Sequence, residues 1–146
     1  MAKVHKILLA EDNPNDVELS LEALGEYNLA NEVIVVRDGS EALDYLYYRG
    51  NFSNRINGNP AVILLDIKMP KVNGLEVLKQ IREDENLKTI PVVILTSSRE
   101  ERDLVVSYNL GVNAYVVKPV DFQQFITAVK EIGLFWAVIN EPPPSK

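Results

Sequence analysis

Ala61-Val62-Ile63-Leu64-Leu65-Asp66 is the stretch that decides the fold. Five aliphatic residues in a row, with no polar position among them, read as a strand buried on both faces, which belongs in a parallel sheet. The run stops at a carboxylate. Working outward, Ile7–Ala10 stops at Glu11-Asp12, residues 92–95 stop at Thr96, and Val116-Val117 stops at Lys118; only Val33–Val36 runs into a plain loop, Arg37-Asp38-Gly39. An open α/β sheet puts its ligand site at the carboxyl ends of its strands. One edge of this protein is therefore expected to gather three carboxylates, a hydroxyl and an ammonium. Such a set can hold a divalent cation and a phosphoryl group at once.

Between these runs lie five helical patterns. Asn13-Pro14 supplies an N-cap and a first-turn proline, with Asp16 in the first turn and Val17, Leu21 and Leu24 at helical spacing. Asp38-Gly39-Ser40 opens a second helix carrying Ala42, Leu43 and Leu46, and Asn73 opens a third with Val77, Leu78 and Ile81 on one side. Ser98-x-x-Glu101 is a capping box for a fourth, over about residues 99–110, and Asp121-x-x-Gln124 opens a fifth reaching about residue 139. Strict strand–helix alternation implies a parallel sheet covered on both faces. With right-handed crossovers, the expected fold is a flavodoxin-like (βα)5 unit of strand order 2-1-3-4-5, which brings Asp12, Asp66, Thr96 and Lys118 together. One domain over residues 1–140 is expected, followed by a Pro-rich, flexible tail at 141–146. The Asn- and Gly-rich stretch 49–60 reads as a surface excursion.

Bulk properties narrow the function. The 146 residues, 47% hydrophobic and 25% charged, suit one globular core. No apolar run approaches the roughly 20 residues that cross a bilayer, so a cytoplasmic location and no membrane partner are expected. A net charge of −6 argues against nucleic acid as a partner. The absence of cysteine removes thiolate chemistry, and the lone histidine, His5, reads as a strand-end residue.

Asp66 is the candidate nucleophile, because a carboxylate can attack a phosphoryl group to form an acyl phosphate. Mg²⁺ suits the task, since it takes one or two protein carboxylates, keeps waters and binds phosphoryl oxygens. Asp12 and Asp66 would be direct ligands, Glu11 would hold a metal-bound water, and the backbone carbonyl of Lys68 would be a further ligand. Lys118 would meet one phosphoryl oxygen as a point charge and Thr96 would donate its hydroxyl to another. Taken singly each has a plainer role: acids before a helix N-terminus, a strand terminator, a capping hydroxyl, a solvated lysine. Their joint occurrence at four strand ends favours the chemical one.

Glu11-Asp12, then Leu64-Leu65-Asp66-Ile67-Lys68-Met69-Pro70 with Asn73-Gly74, then Leu95-Thr96-Ser97, and Val117-Lys118-Pro119 together resemble a response-regulator receiver domain of two-component signalling. The resemblance spans about residues 6–135. It implies that Asp66 receives phosphate from a histidine of a sensor kinase, that the bond before Pro119 is cis, and that Tyr115 is the aromatic switch residue that turns inward when Thr96 moves. Tyr47-Tyr48-Arg49-Gly50 with the loop after it, residues 86–93, Ser107-Tyr108 and Phe135-Trp136 resemble the small single-domain regulators paired with bacterial phytochromes, which implies a phytochrome as the kinase. Asn73 stands where many relatives carry Asp, a change that keeps the cap. No classical enzyme activity is expected beyond self-phosphotransfer and slow loss of the phosphate. Output is expected through protein contacts or a relay between kinases.

Surplus hydrophobicity marks a partner face. The fifth helix has its stripe in Phe122, Phe125, Ile126, Val129 and Ile132, yet residues 134–139 are apolar all round, and the fourth helix carries Leu104, Val105, Val106 and Tyr108. A homodimer through helix 4, strand 5 and helix 5 is expected, with Leu104, Val105, Tyr108, Phe122, Phe135 and Trp136 in the interface. Three rivals are weaker. A haloacid-dehalogenase-type phosphatase would carry an acid where Lys68 stands, a flavin or nucleotide carrier would need a glycine loop where Glu11-Asp12-Asn13-Pro14 stands, and a receiver acting only as a scaffold would not need the full residue set.

Overall fold

The computed structural model describes residues 6–25, 33–55, 58–69 and 71–131, with only the backbone at 129. His5, Ile132, the run 134–139 with Phe135 and Trp136, and the tail 141–146 lie outside the described residues, as do the expected ends of the fifth helix and of the domain. Five strands, β1 (Ile7–Ala10), β2 (Val33–Val36), β3 (Val62–Asp66), β4 (Val92–Thr96) and β5 (Ala114–Val117), pair in parallel in the order 2-1-3-4-5. The chain thus has the expected flavodoxin-like architecture. β1, β3 and β4 are buried along their whole length, whereas β2 and β5 are only partly so, as befits edges.

Alternation along each strand builds two cores, because successive side chains point to opposite faces. Leu8, Ile63, Leu65 and Ile94 pack against α2 (Gly39–Leu46), α3 (Gly74–Glu83) and α4 (Arg99–Ser107). Ile7, Leu9, Leu64, Val93 and Val116 pack against α1 (Pro14–Gly25) and α5 (Phe122–Glu131). The expected caps form: Asn13 Oδ1 accepts the Asn15 and Asp16 N–H groups, and Asp38, Asn73, Ser98 and Asp121 each accept the N–H three residues on. Two glycines opening helices have a packing reason. A β-carbon on Gly39 would collide with the Val72 carbonyl, and one on Gly74 with the Asp66 carbonyl. Gly74 thereby lets α3 start against the end of β3.

One expectation needs correction. α4 ends at Ser107, three residues short, because the chain turns through Asn109 at φ 50°. The 49–60 excursion is tied down where it is described. Gly50–Phe52 forms a 3₁₀ turn, and the Arg55 guanidinium sits 4.1 Å from the Tyr45 ring centre and 3.8 Å from that of Tyr48. Among the described residues no helix is long and apolar enough to cross a membrane.

Candidate functional site

Backbone pairing carries the site residues to one edge. The Glu11 N–H donates to Val36 O (3.0 Å), holding the turn after β1, and the Lys118 N–H donates to Thr96 O (2.7 Å), holding the turn after β5. The Lys118–Pro119 bond is cis, as expected. Asp66 ends β3 beside Leu95, so Thr96 lies one residue beyond its register partner. Glu11, Asp66 and Thr96 are 0%, 1% and 2% exposed, while Asp12 faces solvent.

The Lys118 ammonium is the centre of the charge arrangement. It lies 3.2 Å from Glu11 Oε1, 3.2 Å from Asp66 Oδ2 and 3.3 Å from Asp16 Oδ2. The other Glu11 oxygen accepts the Asn13 N–H at 3.2 Å, and the Lys68 N–H lies 3.4 Å from Asp66 Oδ1. Three carboxylates face one ammonium here, with Asp12 beside them, so negative charge is in surplus. Burial, with Asp66 alongside, pushes the Glu11 carboxyl up to about 7. Burial also raises Asp66, against the opposing pull of Glu11 and Lys118. Burial alone would lower Lys118, but the Asp66 and Glu11 carboxylates overcome it and raise it.

Oxygens of Glu11, Asp12 and Asp66 lie within 4.8 Å of one another. Ligands about 2.1 Å from a Mg²⁺ ion are at most ~4.2 Å apart, so this spacing suits one shared cation held directly or through water. An all-oxygen, acidic, partly exposed donor set suits a hard dication. A cavity of about 620 Å³ opens beside it, lined by Asp12, Lys68, Met69, Asn73, Glu101 and Leu104 among others. It leaves room for a phosphoryl group and its carrier.

The structure therefore brings together Glu11, Asp12, Asp66 and Lys118, with Thr96 on the adjoining strand end. Tyr115, in mid-β5, is half-buried with the Arg102 guanidinium 5.0 Å from its ring centre, and burial raises its phenol. Leu104, Val106, Tyr108 and Val117 are exposed at 48%, 54%, 45% and 58%. Val105 is corrected: at 1% exposure it is the residue by which α4 joins the core, so it offers no surface. Phe122 is half-buried against the second core.

Two participants were not anticipated. Asp16 looked like an ordinary first-turn acid, yet it reaches Lys118. Glu101 looked like the far half of a capping box. It is buried, and its carboxylate accepts the Ser97 N–H (3.1 Å) and hydroxyl (2.9 Å) and pairs with the Lys68 ammonium at 3.2 Å. These bonds hold its carboxyl below the usual range in spite of burial. The capping-box spacing was the available signal, but it pointed to Ser98 rather than to Ser97 and Lys68.

The chain is similar to known proteins over nearly its whole length. The family model for the response regulator receiver domain matches residues 7–130. A solved structure of the bacteriophytochrome response regulator RtBRR superposes with a TM-score of 0.88 at 63% identity, covering 97% of this chain and 86% of that one. The phosphorylated cyanobacterial phytochrome response regulator RcpA superposes with a TM-score of 0.74 at 43% identity, covering 98% and 100%. Response regulator Rcp1 of Synechocystis sp. is 40% identical over 130 residues, 89% of this chain and 87% of its own length. A Mn²⁺-bound form of response regulator Rcp1 superposes with a TM-score of 0.72 at 34% identity, covering 97% and 99%.

Proposed function

The chain belongs to the response regulator receiver domain family, and from that premise we propose that it accepts a phosphoryl group on Asp66 from a histidine of a sensor kinase, a phytochrome, with Mg²⁺ as cofactor. One observation carries this reading: the Asp66 carboxylate lies 3.2 Å from a buried ammonium and within the acidic cluster of Glu11 and Asp12, beside an open cavity. The phosphorylated and manganese-bound relatives support it.

Asp66 attacks phosphorus through a carboxylate oxygen as the N–P bond of the donor breaks. The bonding pair returns to the imidazole nitrogen, and an acyl phosphate remains on the protein. Asp12 and Asp66 would hold the cation, with Glu11 holding one of its waters and the Lys68 carbonyl as a further ligand, and the cation would supply positive charge to offset that on the phosphoryl oxygens. Lys118 pairs with one phosphoryl oxygen and the Thr96 hydroxyl donates to another. The new group brings about −1.5 to −2 charge and three acceptors. Thr96 moves to meet it and Tyr115 turns into the space released, a shift between two states that requires only a few kcal/mol.

The altered face is α4–β5–α5, where Leu104, Val106, Tyr108 and Val117 are exposed, and a second copy of the chain docks there. Sedimentation at tens of micromolar, with and without phosphorylation, is expected to show a dimer in at least one state; a monomer in both contradicts the docking. Incubation with acetyl phosphate and Mg²⁺ followed by intact mass is expected to add one phosphoryl group to the wild type and none to Asp66→Asn. No gain by the wild type removes the reading and leaves a scaffold.

A further inference from the structure

Lys118 has three ammonium donors and three carboxylates around it, and these three are not equivalent. Glu11 and Asp66 belong to the acidic cluster that can take a cation; Asp16 does not. In the proposed reaction Glu11 and Asp66 are drawn toward the metal, and one oxygen of Asp66 becomes the ester oxygen. Two of the three anchors of the ammonium therefore change during the cycle. Asp16 stands on the first turn of α1, outside both events, with its side chain only 25% exposed.

The geometry points to Asp16 as a positioning residue that keeps the Lys118 ammonium aimed at the phosphoryl site while Glu11 and Asp66 are engaged elsewhere. This rests on the function proposed above. A lysine stem has four rotatable carbons and a strongly hydrated head, so an ammonium freed from two partners has many places to go. One fixed carboxylate on the rigid first turn restricts that search before the phosphoryl arrives. The cap holds the turn still, since Asn13 Oδ1 accepts both the Asn15 and the Asp16 N–H. Asp16 touches neither metal nor phosphorus in this account and acts only through Lys118.

A double-mutant cycle tests this at saturating Mg²⁺, where an effect on metal affinity drops out. The readout is the first-order rate of phosphoryl gain from acetyl phosphate. Asp16→Ala is expected to slow the reaction by about fivefold to tenfold, Asp16→Asn by less because an acceptor remains, and Asp16→Ala in a Lys118→Ala background by less than about twofold. An equal loss in both backgrounds overturns the inference, because Asp16 would then act through the fold or the metal; no loss in the wild-type background overturns it as well. A second measurement does not depend on phosphorylation. With ¹⁵N-labelled lysine and saturating Mg²⁺, which engages Glu11 and Asp66, the Lys118 ammonium protons of the wild type are expected to give a resolved signal that Asp16→Ala loses to exchange with water. A signal that persists unchanged contradicts the anchor, even if the wild type proves unable to accept phosphate.

Discussion

Two cations are held at opposite edges of the same sheet, and their surroundings differ in kind. Arg82, in the last turn of α3, gives its five N–H donors to five neutral oxygens: Leu110 O (2.8 Å), Lys88 O (3.1 Å), Ile90 O (3.0 Å), Gly111 O (3.0 Å) and Asn113 Oδ1 (3.1 Å). Lys118, at the carboxyl edge, faces three carboxylates. Burial lowers the Arg82 guanidinium, whereas Asp66 and Glu11 raise Lys118 against its burial. Carbonyls satisfy a cation and leave nothing over, so Arg82 is a joint between α3 and the segments leading into β4 and β5. Carboxylates in excess leave a charge deficit that an incoming dication removes. The same elementary interaction makes structure at one end and reactivity at the other.

The contrast can be broken first at the structural end. Arg82→Ala orphans several carbonyls and is expected to cost about 3 kcal/mol of stability by denaturant unfolding, while the folded fraction still takes up phosphoryl at the wild-type rate. A stable Arg82→Ala that reacts slowly reverses the assignment of roles. At the reactive end, Lys118→Ala is expected to slow phosphoryl gain by about a hundredfold. It should also raise the Glu11 and Asp66 carboxyls further, since Lys118 lowers both.

Smaller, and sharper, is the pH dependence. Glu11 holds its proton to about 7 in the folded chain, against an ordinary 4.5. A raised acid favours the folded state below its ordinary value, and that contribution is lost as pH rises through about 7. Mg²⁺ must displace the same proton, so its affinity by calorimetry should climb by about tenfold per unit below pH ~7 and level off above it. A flat profile from about pH 5.5 to 8.5 means that Glu11 is ionised throughout.

What the sequence makes legible follows from where the information lies. Strand runs and caps are local, so order 2-1-3-4-5 and five of the site residues could be read from 61–66 and its counterparts. Val105 could not be told from Val106, because an α4 stripe shortened at Asn109 turns on packing rather than composition. Arg82 was invisible because four of its five partners are backbone carbonyls, which carry no residue signature. Asp16 and Glu101 had local explanations that concealed distant partners, Lys118 and Lys68.

A crystal structure with Mg²⁺ and beryllofluoride tests the centre of this account. The expected result is one cation bound by Asp12 and Asp66, the fluoride group on an Asp66 oxygen, and the Lys118 ammonium on a fluorine. A cation lodged away from Asp66, or Lys118 turned out into solvent, contradicts it.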